Sequence, residues 1–152
     1  MPGAPNALAA RVIADLGFTA VYLTGAGLTN MYLGLPDLGF MDLSQVVEHT
    51  IAVRGVLDLP LVVDADTGFG NALNVAHAIK MLEHAGASAI QLEDQSTPKR
   101  CGHFDHKELI PAGEMANRKW PFGPPHKPPR RSGRDCRGQS WPLPAPSGGA
   151  AE

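Results

Sequence analysis

Two short stretches of this 152-residue chain hold residue types that could do chemistry at close quarters. Val62-Val63-Asp64-Ala65-Asp66-Thr67-Gly68-Phe69-Gly70 is an apolar run that ends in paired carboxylates and a glycine-rich turn. Leu92-Glu93-Asp94-Gln95 ends the same way, and Lys99-Arg100-Cys101-Gly102-His103 follows it, with a thiol among cations. Asp64 and Asp66 are two residues apart, so on a strand end their side chains lean to one face. With Glu93 from a neighbouring strand they suit a hard, oxygen-seeking cation that keeps several waters. The same pair could be acidic surface at a turn, or a cap on the next helix. Positive charge near Cys101 favours the thiolate and an acid/base role, although a lone cysteine is commonly buried and inert. Taken together, the two stretches read as a metal-assisted carbon–acid site.

Such residues work only if strands deliver them. Asn6 is a good N-cap for a helix over Ala7–Leu16, in which Leu8, Val12, Ile13 and Leu16 recur at helical spacing before Gly17. A β-rich run, Thr19–Thr24, then leads to Gly25-Ala26-Gly27. Asp42 with Gln45 predicts a capping box opening a helix to about Leu57. Asn71 or a neighbour caps a third helix, with Val75, Ile79 and Leu82 on its apolar side, and Ala89–Leu92 is the next strand. Strands alternating with amphipathic helices mean βαβ units and a parallel sheet, with working residues where strands end. Met1-Pro2-Gly3-Ala4 reads as the remnant of an earlier strand. That makes three strands and a vestige, about half of a (β/α)₈ barrel of about 250 residues.

Composition divides the chain near residue 117. Up to Asn117 there are six Lys/Arg against 13 Asp/Glu; beyond it there are seven against two, with eight of the 14 prolines and Leu143 as the sole branched aliphatic residue. A segment so poor in apolar surface cannot offset the entropy of ordering itself. The expected organisation is therefore a catalytic unit over residues 1–116 and a disordered Pro/Arg-rich tail over 117–152. A basic tail invites a nucleic-acid reading, but it lacks aromatics interleaved with its arginine cluster, Trp120, Phe122 and Trp141 lying away from it, so RNA is not the expected partner. Cys101 and Cys136 straddle the boundary without metal-pair spacing, and neither a membrane span nor a signal peptide is visible. The expected location is cytoplasmic.

The motifs resemble the isocitrate lyase / phosphoenolpyruvate mutase superfamily, and within it the methylisocitrate lyase and dimethylmalate lyase branch. The matching segments are Met1-Pro2-Gly3-Ala4, Val21–Gly27, Gly34-Leu35-Pro36-Asp37-Leu38-Gly39, Val63–Gly70, Ile90–Gln95 and Lys99–His103, in family order, from Met1 to about Met115. The resemblance implies a partial (β/α)₈ TIM barrel of the phosphoenolpyruvate/pyruvate type and a carbon–carbon lyase acting on a small 2-hydroxy acid. It also implies Mg²⁺, with Mn²⁺ as a substitute, and a homotetramer whose assembling helices belong to the C-terminal half. After Met115 the family pattern stops abruptly, which resembles a shifted reading frame or gene end. The expectation is an inactive chain with an open, association-prone sheet edge.

By the same resemblance, Asp64 is the direct Mg²⁺ ligand and Asp66 and Glu93 hold its waters. Cys101 gives a proton to the enolate carbon, with Lys99 and His103 beside it as catalytic residues, and its loop closes over the substrate, with Gly102 among the substrate-binding residues. Tyr22, the Thr24 hydroxyl and the Gly25 and Ala26 backbone hold the substrate. Asp37 corresponds to a carboxylate near the metal water, and an aspartate in a turn after proline is its equal alternative. A phosphonomutase or an oxaloacetate decarboxylase is the alternative activity, against which the Cys101 loop argues. A non-enzymatic fragment with a basic tail is the other.

Overall fold

A computed structural model describes residues 1–102, 104–119 and 139–142. Side-chain-to-backbone capping starts the helices where local chemistry predicts. Asn6 accepts from Ala9 N–H at the start of α1 (Ala7–Asp15). Asp42 and Gln45 form a reciprocal capping box on α3 (Leu43–Arg54), and Asn71 and Asn74 do the same on α4 (Ala72–His84). Between α1 and α3 lie a single turn, α2 (Gly25–Leu28), and a π-helical turn over Thr29–Leu33.

The strands β1 (Gly3–Ala4), β2 (Val21–Leu23), β3 (Leu61–Asp64) and β4 (Ala89–Leu92) pair in chain order, all parallel. Tyr22 registers with Val62 and Val63 with Ile90, so the carboxyl ends of β2, β3 and β4 finish level with one another. This is the wall of a half-barrel. Backbone bonds extend it past the strands: Ala65 N–H donates to Gln91 C=O at 2.9 Å and Glu93 N–H to Asp66 C=O at 2.7 Å. The two acidic strand ends are thereby fixed side by side.

The core lies between the strands and α1, α3 and α4, with Leu23, Leu61, Val63 and Ile90 meeting Ile13, Val53 and Leu82. Each fully buried aliphatic side chain contributes about 1.5–3 kcal/mol of burial. α1 differs from its sequence reading. It buries Ala10 and Ile13 and leaves Leu8, Val12 and Leu16 exposed, because the small alanines let the helix approach the sheet closely. At the opposite end from the acidic residues, Arg54 of α3 donates to the carbonyls of Leu57, Leu59 and Gly86 and so locks two loops together.

Two features fall inside the stretch read from sequence as tail. α5 (Ala112–Lys119) continues past residue 116, and its Arg118 is buried, donating to Thr67 C=O at 3.0 Å and to Glu114 at 2.9 Å. β5 (Gln139–Pro142) pairs antiparallel with β4, so that edge is occupied where the sequence predicts it open. The rest of the tail, with Cys136, lies outside the described residues. No helix among the described residues is long and apolar enough to cross a membrane.

Candidate active site

Asp64 ends β3 and is buried with both oxygens in use. Oδ2 accepts from the Tyr22 hydroxyl at 2.8 Å and from Gly25 N–H at 3.2 Å; Oδ1 accepts from Asp66 N–H at 3.1 Å. A carboxylate has about four acceptor positions, so Asp64 is oriented by three donors with capacity left for one more partner. Burial beside the Asp64 charge pushes the Tyr22 phenol far above its ordinary value, which keeps it a neutral donor.

A side chain at Gly25 would press on both carboxylates. A Cβ there would lie 3.1 Å from Asp64 Oδ2 and 3.2 Å from Asp66 Oδ1. Two carboxylates therefore face one bare α-carbon. Asp66 adopts a left-handed backbone (φ 49°), which aspartate tolerates better than most residues. Gly68 follows with φ 89°, and a Cβ there would run into Val75 of α4, so the turn after Asp66 requires glycine twice over.

Lys99 reaches into this cup from the loop after β4. Its ammonium pairs with Asp37 Oδ1 at 2.8 Å and with Asp66 Oδ1, and the residue is only 4% exposed. Burial opposes its charge, but Asp66, Asp37 and Glu93 outweigh that and raise it well above an ordinary lysine. Asp66 and Glu93 are both pushed above the carboxylate range, by burial first; Asp64 and Asp37 add to this against the pull of Lys99. Asp37 and Asp66 thus share one ammonium, and with Asp64 and Glu93 close by the cup holds more carboxylates than cations.

That excess of carboxylates suits a metal. The donors are hard oxygens, Asp64 has one position left, and the net charge calls for a further cation. No three His, Cys, Asp or Glu side chains among the described residues are grouped tightly enough to ligate one ion directly. A site with one direct carboxylate and several waters matches this arrangement and is the style of Mg²⁺.

The structure alters several sequence expectations. Lys99 pairs with Asp37 and Asp66, because the loop folds its side chain inward. Asp37 is an ion-paired, buried member of the cup rather than a free turn residue. Gly25 N–H is directed at Asp64, which leaves Ala26 N–H in the first turn of α2, where N–H groups lack helical partners. Thr24 caps α2 by accepting from Gly27 N–H at 3.2 Å, and its hydroxyl proton remains for another acceptor. Cys101 is half-buried and Gly102 exposed, on the same loop as Lys99; His103 lies outside the described residues. Sequence reasoning gave no role to Gln95, which is buried and bonded to Glu93. Its place beside Glu93 in the motif was the available signal.

The raised carboxyls predict an unusual pH dependence. A carboxyl with a raised folded pKa holds its proton more tightly when folded, so stability falls as pH climbs from the ordinary carboxylate range (about 4) through the raised value. Without metal, the wild type should lose stability relative to Glu93→Gln as pH rises above the ordinary carboxylate range. Mg²⁺ should restore it at the upper end. Thermal melts of both proteins across that rise, with and without Mg²⁺, check the sign.

The family model described as phosphoenolpyruvate phosphomutase matches residues 1–119. The chain is 44% identical to a 2,3-dimethylmalate lyase of Eubacterium barkeri over 117 residues, covering 77% of this chain and 40% of that protein. It is 45% identical to a 2-methylisocitrate lyase of Aeropyrum pernix, covering 77% and 38%. Among solved structures, a 2,3-dimethylmalate lyase described as a PEP mutase/isocitrate lyase superfamily member superposes with TM-score 0.74 at 35% identity, over 77% of this chain and 39% of that one. A phosphonopyruvate hydrolase complexed with oxalate and Mg²⁺ superposes with TM-score 0.69 at 35% identity, over the same shares. The chain therefore spans about two fifths of the length of the relatives it matches.

Proposed function

Because this chain belongs to the phosphoenolpyruvate phosphomutase family, we propose that its acidic cup and thiol loop serve Mg²⁺-dependent carbon–carbon cleavage. The substrate would be a methylisocitrate- or dimethylmalate-like 2-hydroxy acid, and the product pyruvate or a related 2-oxo acid. The observation that carries this reading is the oriented, incompletely satisfied Asp64 among Asp66, Glu93 and Asp37, with Cys101 on the loop leaving the adjacent strand.

Asp64 would hold the cation directly, with Asp66 and Glu93 on its waters. When bound, Mg²⁺ supplies Lewis-acid stabilisation of negative charge developing on the substrate oxygens. Tyr22 and Gly25 keep Asp64 aimed. An open cleft of about 520 Å³ beside the loop, lined by Leu38, Arg100, Phe104, Asp105 and His106, has the size for a small carboxylic acid, with Arg100 as its available cation. Cys101 would deliver a proton to the carbon released as the bond breaks, and loop closure would keep water from that carbon. The similarity to lyases of this name supports the reaction class.

The test is a chimera in which residues 1–119 are continued by the remaining barrel of the Eubacterium barkeri relative. It should release pyruvate from dimethylmalate or methylisocitrate only with Mg²⁺. Cys101→Ser should lower kcat by about 10²–10⁴-fold, the usual worth of a general acid, with Mn²⁺ affinity unchanged. Unchanged turnover in Cys101→Ser would remove the thiol from the chemistry. Turnover of phosphonopyruvate alone would move the chain to the hydrolase or mutase branch.

A further inference from the structure

Gln95 lies two residues beyond Glu93 and is 6% exposed. Its Nε2 donates to Glu93 Oε2 at 2.8 Å and to Arg100 C=O at 2.8 Å, and its Oε1 accepts from Arg100 N–H at 3.0 Å. Both amide protons are thus in use. One side chain joins a carboxylate of the acidic cup to both backbone groups of the residue before Cys101.

The surrounding backbone makes this a fixed point. Gln95 bridges antiparallel to Leu109, flanked by Ser96 N–H to Glu108 C=O at 2.8 Å and Ile110 N–H to Asp94 C=O at 2.9 Å. Residues 97–107 therefore loop out from a short two-stranded stem, and Gln95 is the stem residue that reaches into the loop. Only a primary amide serves here. A glutamate would repel Glu93 and could not donate to Arg100 C=O, and a lysine could not accept from Arg100 N–H.

We propose that Gln95 is a positioning residue that ties Glu93 to the seat of Cys101, so that cation binding at the acidic cup sets the position of the thiol loop. This coupling rests on the Mg²⁺ reading above; the tie between Glu93 and Arg100 does not. A cation drawing on Glu93 fixes the carboxylate that Gln95 grips. Gln95 then holds the Arg100 peptide, and the neighbouring Cys101 is held with it.

The experiment follows Cys101 alkylation by iodoacetamide in the full 152-residue chain, peptide by peptide in a mass spectrometer, with and without Mg²⁺. Mn²⁺ affinity is measured in parallel. In the wild type, Mg²⁺ should slow Cys101 alkylation about tenfold, the scale of one charge-assisted hydrogen bond. In Gln95→Met the metal-free rate should rise about tenfold, and the response to Mg²⁺ should vanish even at Mg²⁺ concentrations that saturate the variant, whose Mn²⁺ affinity should fall by about tenfold or more as Glu93 loses its partner. Gln95→Glu, which keeps the shape, should behave alike and stands in if the methionine variant melts early. Wild-type rates and a wild-type Mg²⁺ response in both variants would overturn the proposal. So would Mn²⁺ binding that leaves wild-type Cys101 alkylation unchanged. If the wild type binds no Mn²⁺, the metal reading and the coupling both fail; the metal-free rise in the Gln95 variants then decides the tie alone.

Discussion

Lys99→Met is expected to be the most disruptive single substitution in this chain, lowering stability at neutral pH by about 3–5 kcal/mol. The lysine is buried and its ammonium pairs with both Asp37 and Asp66. Removing one partner of a buried ion pair leaves uncompensated charge in a poorly solvated place, and here two carboxylates are stranded together. The variant should regain stability as pH falls, more steeply than the wild type, because acid neutralises the carboxylate charge left unpaired. Millimolar Mg²⁺ should rescue it in part at neutral pH. The wild type should show the opposite signature at the alkaline end. The raised Lys99 value means its contribution is complete below about pH 10 and is lost as pH rises through the higher folded value. Denaturant melts of both proteins at pH 5 and 7.5 decide the matter, and equal stability at pH 7.5 would contradict it.

Asp64→Asn should be nearly as damaging by another route. The carboxylate accepts from Tyr22, Gly25 and Asp66 through both oxygens. An amide turns one of those positions into a donor facing a donor, at a cost of about 1–3 kcal/mol. The Tyr22 phenol should then titrate at lower pH, because the Asp64 charge that helps hold it up is gone. Ultraviolet titration of the phenolate reads this directly. An unmoved tyrosine would mean that burial alone controls Tyr22.

The parts of this fold governed by local chemistry were legible in the sequence. Asn6, Asp42 and Asn71 each cap the helix expected of them, since capping depends on residues within one turn. The parallel order of β1 to β4 followed from strands alternating with helices. Asp64 and Asp66 were legible as a pair for the same local reason. What escaped depends on contacts distant along the chain. Lys99 reads as a neighbour of Cys101, but 62 residues separate it from Asp37, and only the folded loop shows which it serves. Gln139–Pro142 lies in proline-rich sequence and finds order by pairing with the β4 edge. Arg118 was assigned to the tail although Glu114, four residues earlier, offered the spacing of a helical ion pair. The left-handed Asp66 and the π-turn at Thr29–Leu33 have no local signature that outweighs ordinary geometry.

In the proposed function, Asp64, Asp66, Glu93 and Asp37 form a seat for one divalent cation beside the charge of Lys99. The most direct measurement is titration of the 152-residue chain with Mn²⁺, with free metal followed by electron paramagnetic resonance. One saturable site is predicted, displaced by Mg²⁺ and weakened at least about 100-fold in Asp64→Asn, beyond what loss of an outer-shell partner usually costs. No saturable binding, or equal binding by the wild type and Asp64→Asn, would contradict the account.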